Sequence, residues 1–209
     1  MKNPRTRKLT RISGADQKAG AVRLSAADRA MMKDMARVGI LDSEIATKHH
    51  YAHLKNGASR SLDRLEKAGF ITSTNVVHDN KRTRAYTFAS KEMAKAWGGQ
   101  MPVIGARRME FHELVTSKIY FELKKPDDFR LAHEFTKGDL ILCGEIRPDA
   151  MYTNTDGEIV FVEADSGHYT KTQIQKKMLN WQNVKQVWGQ PQSPTCKVSP
   201  SDNLQVITI

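Results

Sequence analysis

Cysteine is scarce in this sequence, with only Cys143 and Cys196 among 209 residues. The two lie far apart, and neither has a second cysteine at metal-ligand spacing, which excludes a disulfide-stapled scaffold and a cysteine-based zinc site. Long apolar runs are also missing, since no segment approaches the ~18 residues that a membrane-spanning helix requires. The basic N-terminus lacks the apolar core of a secretory signal. These absences predict a protein of the reducing cytoplasm with no membrane partner.

Acidic residues are few in the first half of the chain. Residues 1–100 contain 20 Lys and Arg but 9 Asp and Glu, whereas residues 101–209 contain 13 and 14. The net charge of +10 and the isoelectric point near 9.6 therefore arise in the first half. A basic surface of this size favours a polyanion such as DNA. Residues 1–20, with six basic side chains and little to bury, are expected to form a flexible basic arm, as a solubilising tail or on the DNA backbone.

Residues 21–97 predict three short helices followed by a β-hairpin. Ser25 is placed to cap the first helix, which runs to about residue 37, and Asp42 is placed to cap the second. The third helix is expected from about residue 58 to 68, with Gly69 ending it. The segments ITSTNVV and RAYTFA alternate in polarity and are joined by the turn HDNKRT. Three short helices with a basic hairpin are typical of a winged helix-turn-helix, which binds DNA.

The polar side of the third helix is the expected DNA-reading face, because the recognition helix of such a domain enters the major groove. The expected DNA contacts come from this helix, the turn before it and the hairpin, and they are Asn56, Ser59, Arg60, Arg64, Lys67, Lys81, Arg82 and Arg84. The alternative is a solvated polar face on an ordinary helical domain. The basic hairpin and arm favour the DNA-binding interpretation.

Residues 98–106 (GGQMPVIGA) contain three glycines and one proline and are expected to link two domains. Over residues 107–209 the pattern predicts a helix at 107–122, strands in FRLAHEF, LILCGE with RPDAMYTN, and EIVFVEAD, a long helix from about 170 to 188, and a final strand LQVITI. The tripeptide TDG is the expected hairpin turn before EIVFVEAD. The second half is therefore α/β, and the chain as a whole is α+β.

The segment from Pro148 to Asp165 gathers three carboxylates. Asp149 begins one strand, and Glu163 and Asp165 are two residues apart on the next, so on paired antiparallel strands the three converge. Carboxylates that are packed together repel one another unless a cation neutralises them. Mg²⁺ or Mn²⁺ prefers such oxygen ligands and activates water for attack on a phosphodiester. The alternative is structural: Asp149 caps a turn, and the other two carboxylates face solvent.

These residues resemble the signature of the PD-(D/E)XK nuclease superfamily over nearly the whole second half of the chain. Pro148-Asp149 corresponds to PD, and Glu163-Ala164-Asp165 corresponds to (D/E)XK. The sequence departs from the family in one respect, because Asp165 stands where the family has lysine. The resemblance implies a restriction-endonuclease-like domain at residues 107–209, in which Asp149, Glu163 and Asp165 bind the metal.

The resemblance also implies two further groups in the site. An acidic residue on the first helix completes the metal ligands in this family, and Glu113 is the best match, with Glu110 second. Some members carry the lysine on the helix that follows the (D/E)XK strand. Lys171 is the first candidate for that role here and Lys177 the second.

A winged helix followed by HEL, RPDA, VEAD and a basic helix is similar to the plasmid replication-relaxation family and to MOBC-type relaxases. The resemblance implies a nuclease dependent on Mg²⁺ or Mn²⁺ that nicks one strand at an origin of transfer during plasmid mobilization. Its implied partners are duplex origin DNA, the single strand after nicking, and relaxosome or coupling proteins. The alternatives are a DNA-binding accessory or regulatory protein with a degenerate nuclease fold, and a restriction or transposon-end nuclease that cuts both strands.

The histidines of HHYAH and three tyrosines allow a different chemistry. Many relaxases pair a tyrosine nucleophile with metal-binding histidines on adjacent strands, but this cluster is expected at a helix end and the following turn. His49, His50 and His53 are therefore expected to contact phosphate or a DNA groove, and a metal site beside Tyr51 is the alternative. Structural roles are the simpler expectation for Tyr152 and Tyr169, although a tyrosine nucleophile near the carboxylates is a second route to strand cleavage.

Overall fold

The computed structural model describes residues 23–55, 57–78, 81–100, 107–143, 147–157, 159–165, 170–173, 175–177, 179–180 and 204–208. Within these residues the protein is mixed α+β, with helices and two small sheets. The expected basic arm, positions 101–106 of the expected linker and positions 181–188 of the expected long helix lie outside the described residues. Within the described ranges, no helix is long and apolar enough to cross a membrane.

The first half is built from short helices around a three-stranded antiparallel sheet. Its elements are α1 (Ala26–Val38), β1 (Leu41–Asp42), α2 (Ser43–His49), α3 (Ser59–Lys67), β2 (Ile71–His78), β3 (Lys81–Phe88) and α4 (Lys91–Ala96). The strand β3 pairs with both β1 and β2, so the sheet order is β1-β3-β2. The three expected helices and the hairpin are confirmed. The two-residue strand β1 and the short helix α4 were not predicted.

Local caps explain where these helices begin and end. The Ser25 hydroxyl accepts a hydrogen bond from Asp28 N at 3.1 Å, and the Asp28 carboxylate accepts one from Ser25 N at 2.7 Å, which forms a capping box. The Asp42 carboxylate accepts from Ile45 N at 2.7 Å at the start of α2. Gly69 follows α3 with a φ of 77°, a left-handed conformation that glycine adopts without steric cost. The three predicted boundary residues are confirmed.

The second half packs helices against a four-stranded sheet. Its elements are α5 (Arg107–Glu122), β4 (Arg130–Leu131), a 3₁₀ turn (Ala132–Glu134), α6 (Lys137–Cys143), β5 (Ala150–Thr153), β6 (Ile159–Asp165) and β7 (Leu204–Thr208), with helical residues at 171–173, 175–177 and 179–180. The order is β4-β5-β6-β7, and only β6 and β7 are parallel. The expected helix at 107–122, the β5–β6 hairpin turning at Gly157 and the final strand are confirmed.

Two of the expected strands are confirmed only in part, β4 within FRLAHEF and β5 within RPDAMYTN. Residues 140–143 of LILCGE belong to α6, and only Arg130–Leu131 of FRLAHEF is a strand. A helix forms here because Thr136 and Asp139 form a capping box at the start of α6. Thr136 Oγ1 accepts a hydrogen bond from Asp139 N at 3.2 Å, and Asp139 Oδ2 accepts one from Thr136 N at 2.8 Å. A short apolar run by itself does not separate a strand from a buried helix.

One hydrophobic core runs through both halves and does not stop at the expected linker. It includes Met35 of α1, Leu65 of α3, Ile119 of α5 and Val162 of β6. Close packing also fixes the start of the linker, because a Cβ on Gly99 would lie 2.4 Å from the carbonyl oxygen of Ala36. The helix α5 therefore belongs to the packing of the first half as well as to the second.

A buried histidine lies where α1, α2 and α5 meet. The His50 side chain is 1% exposed, and its Nε2 lies 3.3 Å from Asp34 Oδ2 without the geometry of a hydrogen bond. The ring meets Phe121 edge-on, with 5.9 Å between centroids. Burial lowers the pKa of His50 to about 4, although the Asp34 carboxylate acts in the opposite direction. The folded protein therefore holds this imidazole neutral.

We predict that His50 makes the fold acid-sensitive. Its pKa is depressed in the folded state, so its contribution to stability is complete above about pH 6.5, the unfolded value, and is lost as the pH falls toward 4. The full loss is about 3 kcal/mol. The unfolding free energy is measured by urea denaturation between pH 7 and pH 4. It should fall less steeply with decreasing pH in His50→Gln than in the wild-type protein. His53→Gln, at an exposed position in the same segment, is the control and should keep the wild-type slope. Equal slopes for all three proteins would contradict the prediction.

Candidate functional site

Asp149 and Glu163 lie opposite each other at the end of the β5–β6 hairpin. Ala150 pairs with Val162 across the ladder, so Asp149 and Glu163 are the next residues along the two strands. Asp149 N donates to the Val162 carbonyl oxygen at 2.9 Å, and Asp149 Oδ2 accepts from Ala164 N at 2.8 Å. The Asp149 carboxylate raises the pKa of Glu163, so the two side chains lie close together. The predicted convergence of these two carboxylates therefore follows from the strand register.

Glu163 is a buried carboxylate that is only partly satisfied. Its residue is 2% exposed, and its Oε2 forms an ion pair with Lys177 Nζ. Its Oε1 has no hydrogen-bond donor. Burial raises the pKa of Glu163 to about 7, the nearby Asp149 carboxylate adds to that rise, and Lys177 opposes it. A side-chain hydrogen bond with Asp149 also contributes to the raised pKa, so Glu163 and Asp149 favour either a shared proton or an added cation between them.

The first turns of α5 supply two more groups. His112 Nε2 lies 3.2 Å from Asp149 Oδ2, and this hydrogen bond raises the pKa of His112. Burial alone would raise the pKa of Asp149, but the hydrogen bond and charge of His112 hold it below its ordinary value. Glu113 is half-buried; burial raises its pKa, while the nearby His112 and His133 act to lower it. Asp149 is thus held ionised beside a Glu163 that resists ionisation.

Only some of the residues predicted for the site lie close together in the structure. The structure brings together Asp149, Glu163 and Lys177, and Glu113 lies near enough to Asp149 for the two charges to interact. Lys171, the first choice for the lysine, is exposed. The side chains of Asp165 and Glu110 lie outside the described residues. The sequence predicts no role for His112, although its position beside Glu113 in the HEL segment is the signal that could have indicated one. No sequence signal indicated the proximity of His133 to Glu113.

The donors at this site are compatible with a hard divalent cation. Carboxylate oxygens are the ligands that Mg²⁺ and Mn²⁺ prefer. Glu163 Oε1 is buried without a donor, and Asp149 is opposite it. Among the described residues, however, no three His, Cys, Asp or Glu side chains are grouped so as to hold a metal ion. The side chain of Asp165, the expected third carboxylate of the signature, lies outside the described residues.

A basic surface lies on α3 and the hairpin. Arg60 and Lys67 are exposed on α3, and Lys81 and Arg82 are exposed on β3. We call these four residues the exposed basic set. Ser59 is also exposed at the start of α3, and Asn56 lies outside the described residues. The predicted polar side of the third helix therefore faces solvent, as a nucleic-acid contact requires.

Two predicted DNA contacts are instead engaged within the protein. Arg64 Nη2 lies 2.5 Å from Asp28 Oδ2, and Asp28 is fully buried. The Tyr51 hydroxyl donates to the other oxygen, Asp28 Oδ1, at 2.8 Å. Arg84 pairs with Asp63 and Glu66 of α3. A buried carboxylate needs such partners, so Arg64 stabilises the fold of α3 against α1 and is not available to a phosphate in this arrangement.

The histidine cluster is dispersed by the fold. His50 and Tyr51 are buried, and His49 packs against Phe121 with 4.5 Å between ring centroids. The expected phosphate or groove contact is therefore wrong for His50, and only His53 is exposed. Tyr152 is half-buried on β5, where burial raises its pKa, and Tyr169 lies outside the described residues.

We predict that the two candidate lysines differ sharply in their effect on stability. Lys177→Met would leave the buried Glu163 carboxylate without its cation, which should reduce the unfolding free energy by about 1–3 kcal/mol. Lys171→Met, at an exposed position of the same helical stretch, should change it by less than about 0.5 kcal/mol. Urea denaturation at pH 8, where ionisation of Glu163 is favoured, compares the two. Equal effects would show that Glu163 does not depend on Lys177.

Comparison of the chain with known protein families, with curated proteins and with solved structures finds no match. The functional conclusion rests on the residues and geometry described above, together with the motif resemblance of the second half.

Proposed function

We propose that this protein is a metal-dependent DNA endonuclease of the relaxase type, which nicks one strand at an origin of transfer in a mobile element. The observation that carries the proposal is the meeting of Asp149, Glu163 and Lys177 from three separate elements, with Glu113 nearby on a fourth. Two carboxylates and a lysine in this relation resemble the PD-(D/E)XK site, with its lysine moved to the following helix. The closeness of the Asp149 and Glu163 carboxylates adds to the argument, because a cation between them would remove the repulsion that raises the pKa of Glu163.

The first half supports the DNA-binding part of the proposal. Three helices precede a long hairpin, and β1 joins the sheet at the β3 edge, in the order β1-β3-β2. This arrangement agrees with a winged helix in which α3 is the recognition helix and β2–β3 is the wing. The exposed basic set lies on these two elements. Side chains of this kind contact phosphates and position the duplex.

Each residue of the site has a chemical part in the proposed reaction. Asp149 and Glu163 would hold Mg²⁺ or Mn²⁺, which when bound would polarise the scissile phosphate and lower the pKa of an attacking water. Lys177 would donate to a phosphate oxygen as charge develops on it. His112, held by its hydrogen bond to Asp149, fixes the orientation of that carboxylate.

We predict metal-dependent nicking of supercoiled DNA. The substrate is a plasmid that carries the DNA flanking the coding sequence in its native element, incubated with Mn²⁺, Mg²⁺ or EDTA. Wild-type protein should produce open circles with either metal and none with EDTA. Asp149→Asn and Glu163→Gln should slow nicking by at least about a hundredfold, since each removes a metal ligand. Asp156→Asn, on the exposed β5–β6 turn, is the matched control and should nick at the wild-type rate.

The products separate the proposal from its rivals. Linear DNA as the first product would instead indicate a restriction or transposon-end nuclease. A second function, that of a DNA-binding accessory protein with a degenerate nuclease fold, is favoured by one observation: Asp149 and Glu163 already have cationic partners in His112 and Lys177. Absence of cleavage, with DNA binding retained and no Mn²⁺ affinity that depends on Asp149, would select that function.

We predict that DNA binding weakens steeply with salt. If the exposed basic set makes four phosphate contacts, affinity for duplex DNA should fall about a hundredfold between about 50 and 200 mM salt. Fluorescence anisotropy measures this fall as the slope of log K against log salt. Arg60→Gln should reduce the slope by about 1, because one phosphate contact is lost. Lys137→Gln, an exposed charge at the start of α6, should leave the slope unchanged, and a wild-type slope near zero would rule out the basic surface as the DNA site.

A further inference from the structure

Arg84 is engaged by three acceptors from two other elements. Its Nη1 pairs with Asp63 Oδ1 at 3.1 Å, and its Nη2 pairs with Glu66 Oε2, both on α3. Its Nε donates to the Ser73 hydroxyl on β2 at 3.1 Å. The guanidinium also lies over the Tyr86 ring, 5.3 Å from the centroid. Each of its three nitrogens is therefore already used inside the protein.

Glu66 extends this network to the backbone of the hairpin. Its Oε1 accepts from Ser73 N at 3.0 Å and from the Ser73 hydroxyl at 2.6 Å. Arg84 and Ser73 lie on different strands of the hairpin, and both are tied to the same carboxylate of α3. An isolated exposed ion pair contributes little, but a forked arginine with several acceptors holds a defined geometry.

The position of Arg84 along β3 gives this network its significance. The short strand β1 pairs with β3 only at Tyr86 and Ala85, so within the described residues the sheet is two-stranded from Arg84 outward. A two-stranded hairpin is marginally stable by itself. The Arg84 network is located where support from the third strand ends, and the exposed Lys81 and Arg82 lie beyond it.

We propose that Arg84 is a positioning residue, which clamps the hairpin to α3 so that Arg82, two residues away on the same face of β3, shares one surface with Arg60 and Lys67. The inference rests on the proposed DNA binding, but it assigns Arg84 no contact with DNA. Loss of the Arg84 side chain would allow the β2–β3 hairpin to move relative to α3. The remaining phosphate contacts would then form only after the hairpin is ordered, which reduces the affinity for DNA without removing a contact.

The first test compares two arginines on the same strand. Anisotropy titrations of a fluorescein-labelled duplex of mixed sequence are run across about 50–200 mM salt. Arg82→Met should lower the salt slope by about 1, because it removes a phosphate contact. Arg84→Met should keep the wild-type slope while affinity falls roughly threefold to tenfold at every salt concentration. A slope reduced by about 1 in Arg84→Met would overturn the proposal, because it would place Arg84 on a phosphate.

The second test measures the position of the β2–β3 hairpin relative to α3 in the absence of DNA. Spin labels are attached at Ser59→Cys on α3 and Val77→Cys on β2, both exposed positions. Cys196 is replaced by Ser, whereas Cys143 is retained because it is buried and burial raises the pKa of its thiol to about 12. Pulsed electron paramagnetic resonance measures the distance between the two labels. In the otherwise wild-type protein this distance should have a narrow distribution. Adding Arg84→Met should broaden it, and adding Arg82→Met should not. A distribution that stays narrow in Arg84→Met would overturn the clamp.

A conservative variant separates geometry from charge. Arg84→Lys keeps the positive charge but cannot fork to Asp63, Glu66 and Ser73 together. It should restore only part of the affinity and narrow the distance distribution only in part, whereas full rescue of both would overturn the proposal. The experiments distinguish failure of the proposed DNA-binding function from failure of the proposed role of Arg84. If wild-type protein shows no salt-dependent DNA binding, the proposed function fails, and the distance measurement still decides whether Arg84 holds the hairpin.

Discussion

The buried hydroxyl of Ser117 on α5 donates to the carbonyl oxygen of Ile40, at the point where the chain passes from α1 to β1. This bond joins the middle of α5 to the helical unit of the first half, and Ile119 packs beside it in the common core. One to two turns earlier, the same helix carries His112 and Glu113 into the carboxylate site. A rigid α-helix rises 1.5 Å per residue, so the site and the first half are held at a fixed separation along α5. The geometry of both halves therefore depends on this one helix.

Internal charge pairing decides how much of the basic composition is available to a partner. The first half carries a large excess of Lys and Arg, but Arg64 neutralises the buried Asp28 and Arg84 neutralises Glu66 and Asp63. Arg64 stabilises the packing of α3, because its removal would leave the buried Asp28 carboxylate without its cation. Net charge counted along a sequence thus overstates the surface that faces a polyanion. The surface that remains is smaller and better defined, on α3 and the outer part of the hairpin.

Sequence reasoning succeeded where the information is local. The caps at Ser25 and Asp42 and the stop at Gly69 depend on a few neighbouring residues, and so does the turn at Gly157 that brings Asp149 opposite Glu163. It failed where the outcome depends on distant partners. Lys171 and Lys177 both border the apolar side of the same predicted helix, and only the tertiary structure determines which one reaches Glu163. The pairing of Arg84 with α3 was hidden for the same reason. The α6 error is different, because Thr136 and Asp139 displayed a capping box that the apolar run obscured.

The electrostatics of Glu163 bear on whether the site is active or vestigial. A carboxylate buried beside a second carboxylate is costly to ionise, and an apolar side chain of similar volume at such a position is often neutral or more stable. Stability therefore gives no reason for Glu163 to be where it is, opposite a second carboxylate in Asp149. Lys177 reduces the cost but does not remove it, since the pKa of Glu163 still rises to about 7. A group that costs stability and faces another of like charge is typical of a functional site. This reasoning favours the proposed nuclease over a degenerate relative, because a degenerate site is free to replace Glu163.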